Sequence, residues 1–327
     1  MQPIKRLLTI IGLGLTLAGC SDDASQQQET QAAEIMRTIQ HAMGETQVPE
    51  APKRIVVLST EATETLLALG IKPVGAVRSS TADPSDTWFA HIRDAMADVT
   101  VVGEEKQVNL EVIAGLKPDL ILGLKSRQEQ IYPQLSAIAP TVFADQFNGA
   151  LRENLVLMSD AVNRKTEGEQ LLAKLDQHIA SLSTRLDEAG WLDQQVAVIR
   201  FQVTGARFYY NDSFAANLIK ALGFERPARH DTTGFAEPLT QERIPEADAD
   251  IQFYFTFASA DPAKGEQNAR SWLDNPLWQS LRASQKDQVF QVNNDIWNKS
   301  YGIFSAHEVL DDIEALLLQS ASKEAKG

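Results

Sequence analysis

The stretch TEGEQLLAKLDQHIASLSTRLDEAG, residues 166–190, decides how the rest of the chain is organised. Its apolar residues recur at spacings of three and four, at positions 171, 172, 175, 179, 182 and 186, which is typical of a helix with one apolar face. Thr166 and Glu169 form a capping box that marks a helix start, and Gly190 is a natural stop. We therefore predict a helix over 166–189, roughly 35 Å long at about 1.5 Å per residue.

Short apolar strands and helical patterns alternate on both sides of this helix, which favours parallel α/β sheets. The two sides also echo each other, because Ala-Leu-Gly ends the first helix of each, at 68–70 and at 221–223. We interpret residues 53–165 and 190–327 as two Rossmann-like α/β lobes, with the long helix 166–189 as a strut between them. The alternative is a surface helix on a single large domain.

The N-terminus carries a targeting signal. Lys5 and Arg6 precede an apolar run from 7 to 17, which is too short to span a membrane comfortably, and Leu-Ala-Gly-Cys follows at 17–20. This pattern resembles a bacterial lipobox, in which Cys20 is acylated and residues 1–19 are removed as a lipoprotein signal peptide. An ordinary signal peptide with a chance cysteine is the alternative.

Residues 20–52 are rich in Gln, Glu, Asp, Ser and Ala, and we predict that they form a flexible tether between the lipid and the fold. Within this segment, Ile35, Met36 and Ile39 could form a short helical turn or pair with the body. The mature protein is thus expected to be an extracytoplasmic body on a lipid anchor, in the periplasm or at the cell surface.

Composition narrows the possible partners. The formal net charge is -14 over 327 residues, so a nucleic-acid role is disfavoured because phosphate binding requires a basic face. The hydrophobic fraction of 43% is ordinary for a globular protein, and the single cysteine rules out an intrachain disulfide. We expect a monomer.

Several motifs together resemble class III periplasmic binding proteins of ABC importers. They are KRIVVL at 53–58, LLALGIKPVG at 66–75 and NLEVIAGLKPDLIL at 109–122. A second group resembles the iron-siderophore branch, particularly ferric-citrate binders: SR at 126–127, Tyr132, AIAP at 137–140, NPLW at 275–278 and GIFSA at 302–306. The resemblance implies two α/β lobes joined by one rigid helix, a ligand held in the cleft between them, and delivery to an inner-membrane permease and its ATPase.

Ferric siderophores of the citrate or hydroxamate-carboxylate type are bulky and often anionic. Because such a ligand already fills the coordination sphere of its iron, no side chain of the protein needs to coordinate the metal, and we expect no cofactor. Guanidinium groups bind carboxylates in a two-pronged fashion. Arg78, Arg127 and Arg200 each lie at the end of a predicted strand, where α/β sheets bind ligands, so we predict that all three line the cleft.

Four further residues are candidates, two of them from the resemblance and two from their places on a predicted strand. Trp297 lies in the loop after the last strand, which lines the cleft in the siderophore branch, and Tyr209 and Arg207 are additional candidates for ligand contact. Permease docking in the family uses an acid on each lobe, and Glu64 is our candidate for the first. The second stays open, since Lys220 stands at the matching position.

Other functions fit the residues less well. The five histidines lack the spacing of metal ligands, and no Gly-x-Ser-x-Gly motif or Gly-rich phosphate loop is present, so an extracytoplasmic enzyme is disfavoured. A haem or cobalamin binder on the same scaffold is the nearest alternative, although cobalamin sites favour aromatic over arginine-rich clefts. A surface adhesin or sensor has no particular patch to support it.

Overall fold

A computed structural model describes residues 35–81, 83, 85–147, 149–257 and 262–319. The predicted signal peptide and Cys20 lie outside these residues. Among the described residues, no helix has the length and apolar content that a bilayer crossing requires.

The described chain begins with an antiparallel hairpin of β1 (Met36–His41) and β2 (Gly44–Pro49). Ile39 and Val48 point from the two strands into the core of the first sheet and are buried. The amide of Ala42 also donates to the carbonyl of Phe143 at 3.0 Å. The flexible tether predicted over 20–52 is therefore wrong for 36–49: two buried apolar residues fix a segment whose exposed side chains are mostly polar.

The first half forms a five-stranded, wholly parallel sheet in the order β5-β4-β3-β8-β9. Its strands are β3 (Ile55–Val57), β4 (Gly75–Ala76), β5 (Thr100–Val101), β8 (Leu120–Leu124) and β9 (Thr141–Ala144), and β6 (Gly103–Glu104) with β7 (Gln107–Val108) forms a small hairpin beside it. The helices of this half are α1 (Thr60–Ala68), α2 (Leu110–Gly115), α3 (Lys125–Gln128), α4 (Tyr132–Ile138) and α5 (Leu151–Ala161). The central strands are apolar throughout because helices cover both faces.

The long helix α6 spans Lys165–Glu188, one residue earlier at each end than predicted. Its N-cap is Arg164, and no side chain makes a capping bond, so the predicted capping box is wrong. Gly190 does follow the helix in the left-handed region, with φ +75°. Inside the helix, a Cβ on Gly168 would come within 2.2 Å of Ser159 Oγ, so α5 and α6 approach closely only because residue 168 is glycine.

The predicted apolar stripe of α6 is buried, so the helix does not stand free as a strut between the lobes. Leu175, Ile179, Leu182 and Leu186 belong to the core of the second half, where they pack with α11 (Ile303–Glu314) and the sheet. Each such buried side chain stabilises the fold by about 1.5–3 kcal/mol. The helix is thus part of one lobe and packs against α5 of the other.

The second half forms a mixed sheet in the order β12-β11-β10-β13-β14. Its strands are β10 (Val196–Gln202), β11 (Ala206–Tyr209), β12 (Ala236–Leu239), β13 (Ile251–Phe257) and β14 (Val289–Gln291), and its helices are α7 (Phe214–Ala221), α8 (Pro262–Leu273), α9 (Pro276–Gln279), α10 (Arg282–Gln285) and α11 (Ile303–Glu314). Strands β10, β13 and β14 are parallel, whereas β11 and β12 join antiparallel. Two α/β units joined by a long helix confirm the predicted fold class.

Candidate functional site

A cavity of about 460 Å³ opens between the carboxyl end of the first sheet and the segment that follows β14. Most of its lining is charged or hydroxylic. It is lined by Thr60, Arg78, Ser79, Ser80, Thr81, Glu104, Glu105, Lys106, Arg127, Lys299 and Tyr301. Residues from both halves of the chain therefore meet in one cleft, and four of them are cations.

Arg127 and Arg78 reach this cavity from the segments that follow β8 and β4, as their positions after two parallel strands predict. Arg127 lies in α3, directly after β8, with its guanidinium 4.3 Å from the ring centre of Phe147 and its Nε 3.8 Å from Glu105 Oε2. Arg78 follows β4, and its Nη2 donates to the carbonyl of Asp86 at 2.8 Å. The structure places both guanidiniums at the cavity, and their contact with a ligand stays a prediction.

Arg200 lies beside the cavity rather than in its lining. Its side chain is largely buried, its Nη1 lies 3.3 Å from the hydroxyl of Tyr209, and its guanidinium stacks on Phe257 at 4.2 Å. Its Nε is buried with no hydrogen-bond partner. The ammonium of Lys299, which does line the cavity, contacts the same Phe257 ring at 4.5 Å. Arg200 thus adds positive charge directly behind the lining.

Lys299 and Tyr301 are site residues that the sequence reasoning missed. Both come from a π-helical turn, Ile296–Ser300, and the residue after it, in the same loop that suggested Trp297. Burial and the positive charge of Arg200 lower the pKa of Lys299 to about 8. The ammonium also lies 3.5 Å from Ser80 Oγ in the first half. The lysine therefore spans the cleft.

Tyr301 connects the two halves through its ring. It lies 5.1 Å from Phe147 in the first half and 5.9 Å from Phe214 in the second, measured between ring centres. Its backbone has φ +59°, which an L-residue rarely adopts, and burial raises the pKa of its hydroxyl. The only sequence signal for these two residues was their closeness to Trp297.

Trp297 itself does not line the cleft. It is 1% exposed, its ring packs against Phe253 at 4.9 Å, and its Nε1 donates to Asp312 at 2.8 Å. The predicted ligand contact is therefore wrong, because the turn directs this ring to the sheet and its neighbour Lys299 to the cavity. The sequence pattern identified the correct loop, but the side chain of this loop that reaches the cavity is Lys299 and not Trp297.

Tyr209 and Arg207 do not line the cavity either. Tyr209 is 1% exposed, with its ring against Phe235 and Phe255. Burial raises the pKa of its hydroxyl, which lies against Arg200. Arg207 pairs with Arg200 in the β10–β11 register, but its Nη2 contacts Gln202. Tyr209 supports Arg200 instead of touching a ligand directly.

Glu64 cannot be a docking residue in this structure, because it is completely buried. Its Oε2 accepts from the amides of Phe304 and Ser305 at 2.9 and 3.1 Å, and its Oε1 accepts from Ser305 Oγ at 2.6 Å and lies 2.8 Å from His91 Nε2. Since α1 packs its Glu64 face on the amino end of α11, the carboxylate binds the other half of the same chain. A Cβ on Gly302 would come within 2.2 Å of Glu64 Oε2.

His91 completes this contact between the halves. Burial lowers its pKa, but the hydrogen bond and the charge of Glu64 outweigh burial, so the net pKa is raised above the ordinary value for histidine. The imidazole also stacks on Phe89, with ring centres 5.9 Å apart. We call Glu64, His91 and Ser305 the interlobe latch, because every bond to the carboxylate crosses from one part of the chain to another distant in sequence.

Within the part of the chain that the structure describes, no group of three or more His, Cys, Asp or Glu side chains is arranged to hold a metal ion. The guanidinium and ammonium groups that line the cleft can recognise an anion, and the rings of Phe147 and Tyr301 lie beside them.

The fold and this cleft define a solute-binding protein, and comparison with known proteins supports that class. The chain belongs to the periplasmic binding protein family, whose model matches residues 55–296. The probable siderophore-binding lipoprotein YfiY of Bacillus subtilis (strain 168) is 39% identical over 326 residues, which is 97% of this chain and 98% of the relative. The predicted resemblance is thereby confirmed.

Two further comparisons agree. The achromobactin-binding periplasmic protein of Dickeya dadantii (strain 3937) is 35% identical over 266 residues, which is 80% of this chain and 85% of the relative. The crystal structure of Staphylococcus aureus SirA complexed with staphyloferrin B has a TM-score of 0.79 and 33% identity, and the match covers 86% of this chain and 98% of that one. These relatives carry names of siderophore binders.

Proposed function

We propose that this chain captures a ferric siderophore of the citrate or hydroxamate-carboxylate type in the cleft between its two halves and delivers it to an ABC importer. The observation that carries the proposal is the cation content of the cleft: Arg78, Lys106, Arg127 and Lys299 line one cavity. A net charge of -14 makes this concentration of positive groups unusual for the molecule, and it suits an anionic ligand.

The cleft binds such a ligand without touching its iron. The carboxylates of the complex accept hydrogen bonds from guanidinium groups, which bind two oxygens at once, while Phe147 and Tyr301 cover its apolar parts. Because the siderophore supplies the iron ligands, the protein acts as a carrier and not as an enzyme. The siderophore-binding names of its relatives support this ligand class.

The mature chain sits on the membrane through acylated Cys20, in the periplasm or at the cell surface, and works as a monomer. The lipobox at 17–20 and a relative named as a lipoprotein support the anchor. Two or more acyl chains hold a protein stably on a membrane. The partners are an inner-membrane permease and its ATPase. No docking residue is assigned, because Glu64 is buried.

The test is a calorimetric titration of the mature protein with four probes: ferric citrate, a neutral ferric trihydroxamate, haem and cobalamin. We expect the anionic ferric complex to bind more tightly than the other three, because only it places several carboxylates against the cations of the cleft. Raising the salt concentration should weaken this binding, since part of the attraction is screened. Binding of haem or cobalamin alone would contradict the proposal.

A further inference from the structure

Glu105 is held rigidly at the edge of the cleft. It is the first of the two turn residues that join β6 to β7, and its side chain is half-buried. Its carbonyl accepts from the side-chain amide of Gln128 at 2.7 Å, and the same amide lies 3.2 Å from the carbonyl of Leu58. Gln128 is buried, so this bond fixes the turn to the floor of the sheet.

The carboxylate of Glu105 lies between two groups that attract an anion. Its Oε1 accepts from the amide of Thr60, the first residue of α1, at 3.0 Å, and its Oε2 is 3.8 Å from Arg127 Nε. The amino end of a helix and a guanidinium both favour negative charge. Both oxygens of Glu105 therefore face positive groups of the cleft.

One hydrogen-bond donor of Arg127 lacks an acceptor in this arrangement. Its Nε is buried and has no hydrogen-bond partner, since 3.8 Å is too long for a hydrogen bond to Glu105. A buried, unbonded guanidinium N–H costs free energy unless another acceptor reaches it. The Nε–H is thus left for a carboxylate that comes closer than that of Glu105, which lies beside the guanidinium without a hydrogen bond to its Nε.

We propose that Glu105 is an internal competitor of the ligand: its carboxylate occupies the position between α1 and Arg127 that a carboxylate of the bound ferric complex takes. This inference rests on the proposed function of the cleft. An anionic complex must displace Glu105 to reach both groups, so the glutamate lowers affinity and speeds release to the importer. A neutral complex leaves Glu105 in place.

Glu105→Gln tests the idea, and Glu111→Gln is its matched control. Glutamine keeps the length of the side chain but loses the charge that competes for Arg127. Glu111 is an exposed glutamate of α2 in the same half of the chain and lies outside the cavity lining. We expect Glu105→Gln to bind ferric citrate about tenfold more tightly than wild type, the size of one charge-assisted hydrogen bond. Glu111→Gln should change affinity by less than about threefold, because an exposed charge is screened.

Two results would overturn the inference. One is that Glu105→Gln binds ferric citrate no more tightly than wild type. The other is that Glu111→Gln gains as much, which would make the net charge of the protein responsible and not the position of Glu105. Glu105→Ala removes the carboxylate entirely and must shift affinity in the same direction as Glu105→Gln. A neutral ferric trihydroxamate should bind wild type and Glu105→Gln alike.

Iron-free citrate separates this inference from the proposed function. If wild type binds no ferric complex, the proposed function is wrong, and thermal unfolding with millimolar sodium citrate still decides about Glu105. Citrate should raise the melting temperature of Glu105→Gln more than that of Glu111→Gln or wild type, because a citrate carboxylate enters the freed position. Equal shifts in the three proteins would overturn the inference.

Discussion

At the scale of single residues, the cleft depends on cations that lie far apart in the sequence. Arg78 and Arg127 come from the segments that follow β4 and β8 of the first sheet, and Lys299 comes from the end of the second half. Arg200 adds charge from behind through the ring of Phe257. These groups differ in the contacts that hold them, so each has its own expected effect on binding.

Arg127→Ala should weaken binding of ferric citrate by about 1.5–3 kcal/mol, the range of a hydrogen bond to a charged group. Arg127 lines the cavity, and its guanidinium is held over Phe147 and beside Glu105. Calorimetry measures the change. Arg152→Ala is the control: this half-exposed arginine pairs with Asp176 outside the cavity lining and should change affinity by less than about 0.5 kcal/mol.

Equal losses in Arg127→Ala and Arg152→Ala would mean that net charge alone drives binding.

Arg200→Ala should also weaken binding in the same range. It carries a structural cost as well, since Tyr209 loses the partner of its buried hydroxyl. The ligand affinity of Arg200→Ala must therefore be compared together with its melting temperature, which separates a loss of binding from a loss of stability.

Lys299 should make binding depend on pH. Its pKa is about 8, lowered by burial and by Arg200, so the ammonium is mostly charged below that pH and neutral above it. Affinity for an anionic complex should fall about tenfold between about pH 7 and about pH 9, as one charged contact disappears. Lys299→Arg keeps its charge over this range and should flatten the profile. An identical decline in Lys299→Arg would assign the pH effect to the ferric complex itself.

At the scale of elements, the interlobe latch joins α1 to the amino end of α11. Glu64 accepts from two α11 backbone amides, and the helix dipole there favours its negative charge. Gly302 is needed next to it, because a larger residue would collide with the carboxylate. The latch and the packing of α6 against α5 are two separate connections between the halves.

Glu64→Gln should destabilise the protein by about 3 kcal/mol, because the buried charge is lost and glutamine has one acceptor oxygen where the carboxylate has two. The amide group of glutamine would point a donor at the donors of α11. Urea unfolding measures the loss. Glu188→Gln, on the exposed end of α6, is the control and should change stability by less than about 0.5 kcal/mol. A loss no larger than that of the control would contradict the latch.

At the scale of the whole molecule, the two halves are expected to move little when a ligand binds. One helix crosses between them, its apolar face is embedded in the core of the second half, and the latch adds a fixed point. Wide hinge closure requires a few loop residues that absorb large backbone changes. A continuous helix of 24 residues offers none within its length.

Small-angle scattering checks this expectation. The radius of gyration of a compact body of this size is about 19 Å, and it should change by less than about 1 Å between the ligand-free and the ferric-citrate-bound protein. Glu64→Gln, which weakens the latch, should show a larger change than wild type. A wide closure in wild type would mean that neither α6 nor the latch restrains the halves.

The sequence alone determined the secondary structure, the long helix and the family, because these depend on local periodicity and on contiguous motifs. The stripe at 171–186 and the stop at Gly190 needed no knowledge of tertiary contacts, although the helix start and the hairpin at 36–49 were misjudged. Arg78 and Arg127 reach one cavity because both follow parallel strands of one sheet, which spacing along the chain can reveal.

Only the tertiary structure decided which side chains of each loop face the cleft. Trp297 turned to the core and Lys299 to the cavity although they are two residues apart, since the direction of a side chain in an irregular turn depends on what packs against it. The sequence around Glu64 is that of a solvated acid on a helix surface. In the structure α11, 240 residues away along the chain, covers this side chain. Glu105 likewise gained its place between α1 and Arg127 from contacts that no local pattern encodes.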